Sequence, residues 1–503
     1  MSWKKSIRRS VQWASVLTIL LGTAVSPTFA HAESVVPNRV PGAYQTPNQP
    51  LSQSLLQAKD PATTKKPEKK GVLGPIHPRY EMNVNYDSKA HQINGTMKVQ
   101  FTNNLKQDLT ELYFNLWGNA AVFKENGGGI DVQNVKVNGK KARYEVRDTS
   151  LHLQGFSLKA NKKASVEMDF TVSVPEGQDR FGWSGTTVSL GNWFPILAVY
   201  DDEGWNVDPY FPYGESFYSL TGDFDVTVTT DKSQVIAATG TEKGRPKIVG
   251  NQAVHHYVAK NVRDFAMEMD PTYHVKSGMA GNTKVNVYFT DKQAKFADAM
   301  LESGIDSLKL YSEKFGKYPW PELDVVSMEG WFGGMEYPQL VMISITDNST
   351  VDRVKSVVAH ENGHQWFYGI IGDNEYDEPW LDESFATFSA ALYDGTLDSL
   401  TAEPLEDPSY HLSSKVSDFT ARGDEGVDAY YYMIYSYGAR TLNDLRKELG
   451  DEQFYRSMQA YFKEKKFGVT TTADFIRIME QTSGRDLSGF FADHRVYLSD
   501  QEN

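Results

Sequence analysis

The chain has 503 residues, no cysteine and a formal charge of −14. That length leaves room for two or three domains with substantial cores. The lack of cysteine excludes disulfides, a lipoprotein anchor and thiolate metal ligands, and the acidity disfavours nucleic acid and anionic membrane surfaces as partners.

Lys4, Lys5, Arg8 and Arg9 precede a mostly apolar run from Val11 to Val25, and Ala30-His31-Ala32 supplies small residues for cleavage. Residues 1–32 therefore read as a secretory signal peptide, too short and interrupted for a spanning helix, and no stable membrane insertion is expected after its removal. The expected location is secreted, extracellular or associated with the cell envelope. Residues 33–76 are rich in Pro, Gln, Ser, Thr and Lys without apolar periodicity, which predicts a disordered linker.

From 77 to 278 the period is two. Met97, Val99 and Phe101 alternate after an Asn94-Gly95 turn, Val135 and Val137 precede Asn138-Gly139, and Phe224, Val226 and Val228 alternate again. Such alternation between turn signals predicts an N-terminal all-β domain. Its aromatic cluster, Trp193, Phe194, Trp205, Tyr210, Phe211 and Tyr213, reads mainly as packing, with one or two members left to line a cleft. Asp201-Asp202-Glu203 reads as a solvated loop.

Residues 279–503 change character. Val285, Val287 and Phe289 predict a strand, and Phe296, Met300, Ile305 and Leu308 predict a helix ending at Gly316. Helical spacing of Val354, Val357 and Val358 then carries His360-Glu361-Asn362-Gly363-His364, with Gly369 and Gly372 as exits after the last turn. Two histidines four apart lie on one helical face, where both imidazoles can bind one metal ion. Glu361 flanks that face, placed to act as a base on water without being a ligand. A second helix is expected from Pro379, with Glu383 early in it. Two helices joined by a loop would bring Glu383 to His360 and His364, leaving a fourth metal position open, as in catalytic zinc sites. His152, His255, His256, His274, His411 and His494 lack partners at ligand spacing and read as structural or surface residues.

The pairing of that motif with Trp380-Leu381-Asp382-Glu383-Ser384-Phe385-Ala386 resembles the M1 family of zinc metallopeptidases, the gluzincins that include aminopeptidase N and leukotriene A4 hydrolase. Gly333-Gly334-Met335-Glu336-Tyr337-Pro338 is similar to the family's GxMEN motif, and Tyr435-Ser436-Tyr437-Gly438-Ala439 to its YxKGA segment. The resemblance runs from about residue 78 to 497. It implies an α+β multidomain fold, with a saddle-shaped β domain followed by a thermolysin-like α/β and then helical catalytic domain. It also implies one Zn2+ per chain, held by His360, His364 and Glu383, with Glu361 as general base and Tyr435 stabilising the oxyanion. Peptide substrates would be held by Glu336, through their free α-amine, and by Gly333, Gly334 and Met335. The implied activity is that of an aminopeptidase; a zinc endopeptidase and a silent binding scaffold are the alternatives. Three positions depart from the family pattern: Tyr337 stands for Asn, Tyr437 for Lys and Asp382 for Asn. The large C-terminal helical domain of many members is expected to be missing and the cleft correspondingly open.

Overall fold

The computed structural model describes residues 74–498, so the expected leader and most of the linker lie outside the described residues. Strands prevail as far as Phe289 and helices from Ala297 onward, the α+β arrangement expected.

β1 (Ile76–Asp87), β2 (Gln92–Asn103), β3 (Gly129–Val137), β4 (Lys162–Ser173), β5 (Gly222–Asp231) and β6 (Gln252–Val262) form the middle of a nine-stranded sheet in the order β6-β5-β1-β2-β4-β3. Only β1 and β5 pair in parallel along this path. The period of two is the cause of the layering: Tyr80, Met82, Val84 and Tyr86 are buried, while Glu81, Asn83 and Asn85 between them are exposed. Met97, Val99, Phe101, Phe224, Val226 and Val228 are buried as the alternation predicts.

One turn signal misleads. Asn138-Gly139 makes the expected two-residue hairpin, with positive φ at both positions (49° and 74°). Asn94-Gly95 instead lies inside β2, paired with Asn85 and Val84. The chain turns earlier, where the Asp87 carboxylate accepts from the backbone N–H groups of Lys89 and Ala90 at 2.9 and 3.2 Å. Gly95 is needed for space: a Cβ there would come within 2.8 Å of Phe170 and Val84.

Beyond smaller sheets within residues 109–270, a five-stranded sheet begins with β7 (His274–Ala280), ahead of the 279 expected for the second domain, and continues through β8 (Thr283–Phe289), β9 (Glu322–Met328), β10 (Gly334–Met335) and β11 (Leu340–Ser344). Its order is β7-β8-β9-β11-β10, with β8, β9 and β11 parallel and β10 antiparallel at the edge. Crossover helix α1 (Ala297–Lys314) buries Met300, Leu308 and Tyr311. α2 (Val351–His364) opens with Thr350, whose hydroxyl accepts from Arg353 N–H as an N-cap. α3 (Trp380–Asp394) follows; Pro379 stands just before its first residue, and Gly395 closes it in the left-handed conformation. A π-helical turn (Tyr431–Tyr437) leads into α4 (Gly438–Leu449), α5 (Asp451–Lys465) and α6 (Thr472–Ser483). Among the described residues no helix is long and apolar enough to cross a membrane.

The close fit at Gly95 gives a direct check. Gly95→Ala should destabilise the fold by about 1–3 kcal/mol through overpacking against Phe170 and Val84; unchanged denaturant stability would show that the β1-β2-β4 contact yields freely.

Candidate metal centre and peptide-binding edge

α2 and α3 pack closely because Gly363 faces α3: a Cβ there would lie 3.0 Å from Ala386 Cα and Ser389 Cβ. That approach carries Glu383, in the first turn of α3, to the two histidines in the last turns of α2. His360 Nε2 and His364 Nε2 are 3.1 Å apart, and Glu383 Oε2 lies 3.2 and 3.3 Å from them. Ligand atoms bonded tetrahedrally at zinc distances stand roughly 3.3 Å from one another, so the triangle has the size of a zinc site. Its chemistry agrees, for two imidazole nitrogens and one carboxylate oxygen leave a fourth position free. A second set, Glu336, His364 and Asp382, has donor atoms within 4.8 Å of one another. There the Asp382 carboxylate already meets His364 Nδ1 directly, leaving no room for an ion between them.

That contact is the clearest feature the sequence reading missed. Asp382 Oδ1 accepts from His364 Nδ1–H, which leaves Nε2 as the lone-pair nitrogen turned toward His360 and Glu383. The signal was present as an Asp beside the ligand Glu. His360 is braced differently, its ring parallel to that of Tyr435 at 6.1 Å between centroids.

The electrostatics favour a cation. Burial alone would raise Glu383, but while His364 holds a proton on Nε2 in place of a metal ion, its charge and hydrogen bonds from the histidines keep the Glu383 carboxyl well below the usual range. Burial, reinforced by the charge of Glu336, pushes Glu361 well above it. Burial, opposed by His364 and reinforced by Glu215, pushes Glu336 up to about 8. A raised carboxyl is suited to receive a proton.

The remaining expected residues also gather here. Glu361 is 4% exposed and lies tight against Gly334, where no Cβ could fit beside its carboxylate. Gly334 therefore makes room for Glu361, a role beyond the substrate docking expected of it. Gly333 faces open space, and β10 pairs only with β11, leaving its outer edge free among the described residues. The Met335 side chain is fully buried, so its backbone is what it offers at that edge. Glu336 is 3% exposed with Oε1 lacking any partner. Tyr337 is buried and donates to Asn192 Oδ1 at 2.7 Å, which ties the strand end to the sheet-rich part of the chain.

Of the crowded tyrosines, Tyr435 is the one whose hydroxyl reaches the triangle, donating to Glu383 Oε1. Burial and the charge of Glu383 hold that phenol well above its usual pKa, so it stays a donor. Ser384 fixes the π-helical turn by donating to Ile434 O at 2.5 Å, and Gly438 leaves the space Ser384 occupies. A π turn admits one more residue than an α turn and so re-aims the side chains it carries. Five of the remaining histidines sit against carboxylates: His152 on Glu111, His255 on Glu242, His256 on Asp225, His274 on Asp291 and His494 on Asp444.

Residues 299–494 match the model of the peptidase family M1 domain. Over 426 residues the chain is 22% identical to aminopeptidase N of Lactococcus lactis subsp. cremoris, covering 72% of this chain and 48% of that protein. It is 27% identical over 307 residues to aminopeptidase 2 of Candida albicans, covering 52% of this chain and 31% of that one. The chain thus spans half or less of the length of these curated relatives. An M1 zinc metallopeptidase from Deinococcus radiodurans has the same fold, with a TM-score of 0.60 at 16% identity, covering 85% of this chain and 94% of that one.

If Asp382 orients His364, Asp382→Ala should weaken divalent-metal binding about 10–100-fold. Competition against a chelator measures this; unaltered affinity would reduce the contact to simple packing.

Proposed function

We propose that this chain, which carries a peptidase family M1 domain over residues 299–494, is a zinc-dependent peptidase that removes residues from the free amino end of peptides. The observation that carries the reading is the triangle of His360, His364 and Glu383, set beside Glu361 and a buried, unpartnered Glu336 oxygen at a free strand edge. The aminopeptidase names of the relatives support it. So does the structure of a Deinococcus radiodurans M1 zinc metallopeptidase mutant solved with a Tyr-Ser-Ala substrate.

A zinc ion held by His360, His364 and Glu383 would polarise the scissile carbonyl and lower the pKa of water beside it. Glu361, ionised beside the cation, takes the proton of the attacking water and returns it to the leaving amine. Tyr435 donates to the carbonyl oxygen as negative charge develops there, a term typically worth about 3–4 kcal/mol. Glu336 pairs with the α-ammonium; bringing a cation to it favours its ionised form and so offsets the burial that raises its pKa. The free edge of β10 receives the peptide backbone as an added strand, with Gly333 leaving space for close approach.

Residues 1–32 lie outside the described residues; we read them as an export signal, so the chain acts outside the cytoplasm. N-terminal sequencing of the mature protein should begin at Glu33, whereas retention of Met1 would contradict export by cleavage.

Matched free and N-acetylated peptides test the exopeptidase reading. The free peptide should be the better substrate, and Glu336→Ala should raise its KM and shrink that preference. An unchanged preference ratio would refute amine anchoring and favour an endopeptidase. Glu361→Gln should keep its metal and lose turnover; loss of metal with activity would show that Glu361 is a ligand. Tyr435→Phe should lower kcat about 10²–10³-fold with little change in KM, and near-normal kcat would move the donor role elsewhere.

A further inference from the structure

A continuous series of aromatic rings leads away from the metal triangle. Tyr435, whose hydroxyl reaches Glu383, has its ring 5.5 Å from that of Tyr431. Tyr431 in turn donates its hydroxyl to the backbone oxygen of Tyr213. The Tyr213 ring stands 6.5 Å from that of Trp331, two positions ahead of Gly333 and the free strand edge. Three separate parts of the chain thus bring partly exposed rings together: the π-helical turn, the loop at Tyr213 and the approach to β10.

Exposure separates these rings from ordinary packing. Tyr213, Trp331, Tyr431 and Tyr435 are partly exposed, whereas the neighbouring Phe211, Phe217, Phe419 and Tyr430 are buried. The polar tips of Trp331, Tyr431 and Tyr435 are engaged. Trp331 Nε1 donates to Asp179 Oδ2 at 2.9 Å, Tyr431 bonds to Tyr213 O, and Tyr435 bonds to Glu383. Trp331 and Tyr431 are left with ring carbon to meet a ligand, held rigid by those bonds, and the Tyr435 hydroxyl serves the substrate carbonyl.

The charges nearby are spoken for. Arg180 and Glu215 form a buried pair at 2.5 Å, and the guanidinium also lies over Phe332 and Phe217. Glu336 is taken by the ammonium in the reading above. Asp179 accepts from Trp331 Nε1–H and the Arg180 backbone N–H, so a charged side chain arriving here would meet only groups already bonded and would lose its hydration.

Resting on that aminopeptidase reading, we propose that the ring faces of Tyr213, Trp331 and Tyr431 bind the side chain of the residue to be released, so that the enzyme prefers peptides beginning with Phe, Tyr or Trp. With the amine at Glu336 and the carbonyl at the metal triangle, the first side chain is the part of the substrate nearest this arc. Flat, uncharged rings match it in chemistry and in stacking geometry.

The test is kcat/KM of the zinc-loaded full chain for peptides that differ only in their first residue. Phe, Tyr and Trp should exceed Ala by roughly tenfold or more, with Arg and Glu below Ala. Trp331→Ala should reduce the Phe-to-Ala ratio severalfold, and Trp331→Phe should restore most of it. Inhibition of the unmutated enzyme by free L-phenylalanine and L-alanine gives a second readout, in which phenylalanine should be the stronger. A flat series, a preference for Arg, or equal inhibition by the two amino acids would overturn the inference while leaving the peptidase reading standing. Failure to cleave any free-amine peptide would overturn both.

Discussion

Everything in the helix-rich half depends on how closely α2 and α3 approach. Metal ligands on two helices converge only if the helices touch almost backbone to backbone, and Gly363 against Ala386 provides that contact. A side chain at 363 would force α3 outward and carry Glu383 from the histidines. The same approach brings Asp382 onto His364 and Ser384 onto the π-helical turn, so three successive residues of α3 fix a histidine, the metal triangle and the position of Tyr435. One packing constraint therefore sets the triangle and the tyrosine together.

The sheet-rich part holds the exit from α2 in place. Tyr368 takes a φ of 115°, a conformation that costs a bulky residue on the order of 1–3 kcal/mol. Arg263, 2% exposed, holds it by donating from Nε to Tyr368 O at 2.6 Å, while its other nitrogens donate to Ser219 O and Gly468 O. Glu375 accepts from Phe217 N–H at 3.0 Å, and Tyr337 reaches Asn192, whose amide donates to Asp264 at 2.6 Å. The bonds to Tyr368, Gly468, Glu375 and Tyr337 cross out of the sheet-rich part, while those to Ser219 and Asp264 anchor Arg263 and Asn192 within it. The β part thus acts as a clamp on the loops that follow α2 and β10.

The readable part of the sequence was the part governed by local rules. His360 and His364 announce themselves because one helical turn separates them, and the strands because burial on one face imposes a period of two. What stayed hidden depends on contacts distant in sequence. Asn94-Gly95 has the composition of a turn, yet Phe170, 75 positions on, decides that Gly95 belongs in a strand. Gly372 looked like a helix exit, but the close presence of the Arg263 guanidinium is what excludes a side chain there, and the strained exit residue is Tyr368. Tyr337 was a departure without a reason until Asn192 and the tight space at Gly191 supplied one. Tyr213 could be placed only as one of six aromatics, since its neighbours Tyr431 and Trp331 come from other parts of the chain.

The central claim is that two imidazoles and one carboxylate, brought together by α2 and α3, hold a single zinc ion. Calorimetric titration of zinc into the metal-stripped chain, with Glu383→Ala alongside, measures it most directly. The account predicts one ion per unmutated chain and a loss of tight binding in the variant with the fold intact by circular dichroism. Equal zinc affinity in the two proteins would contradict it.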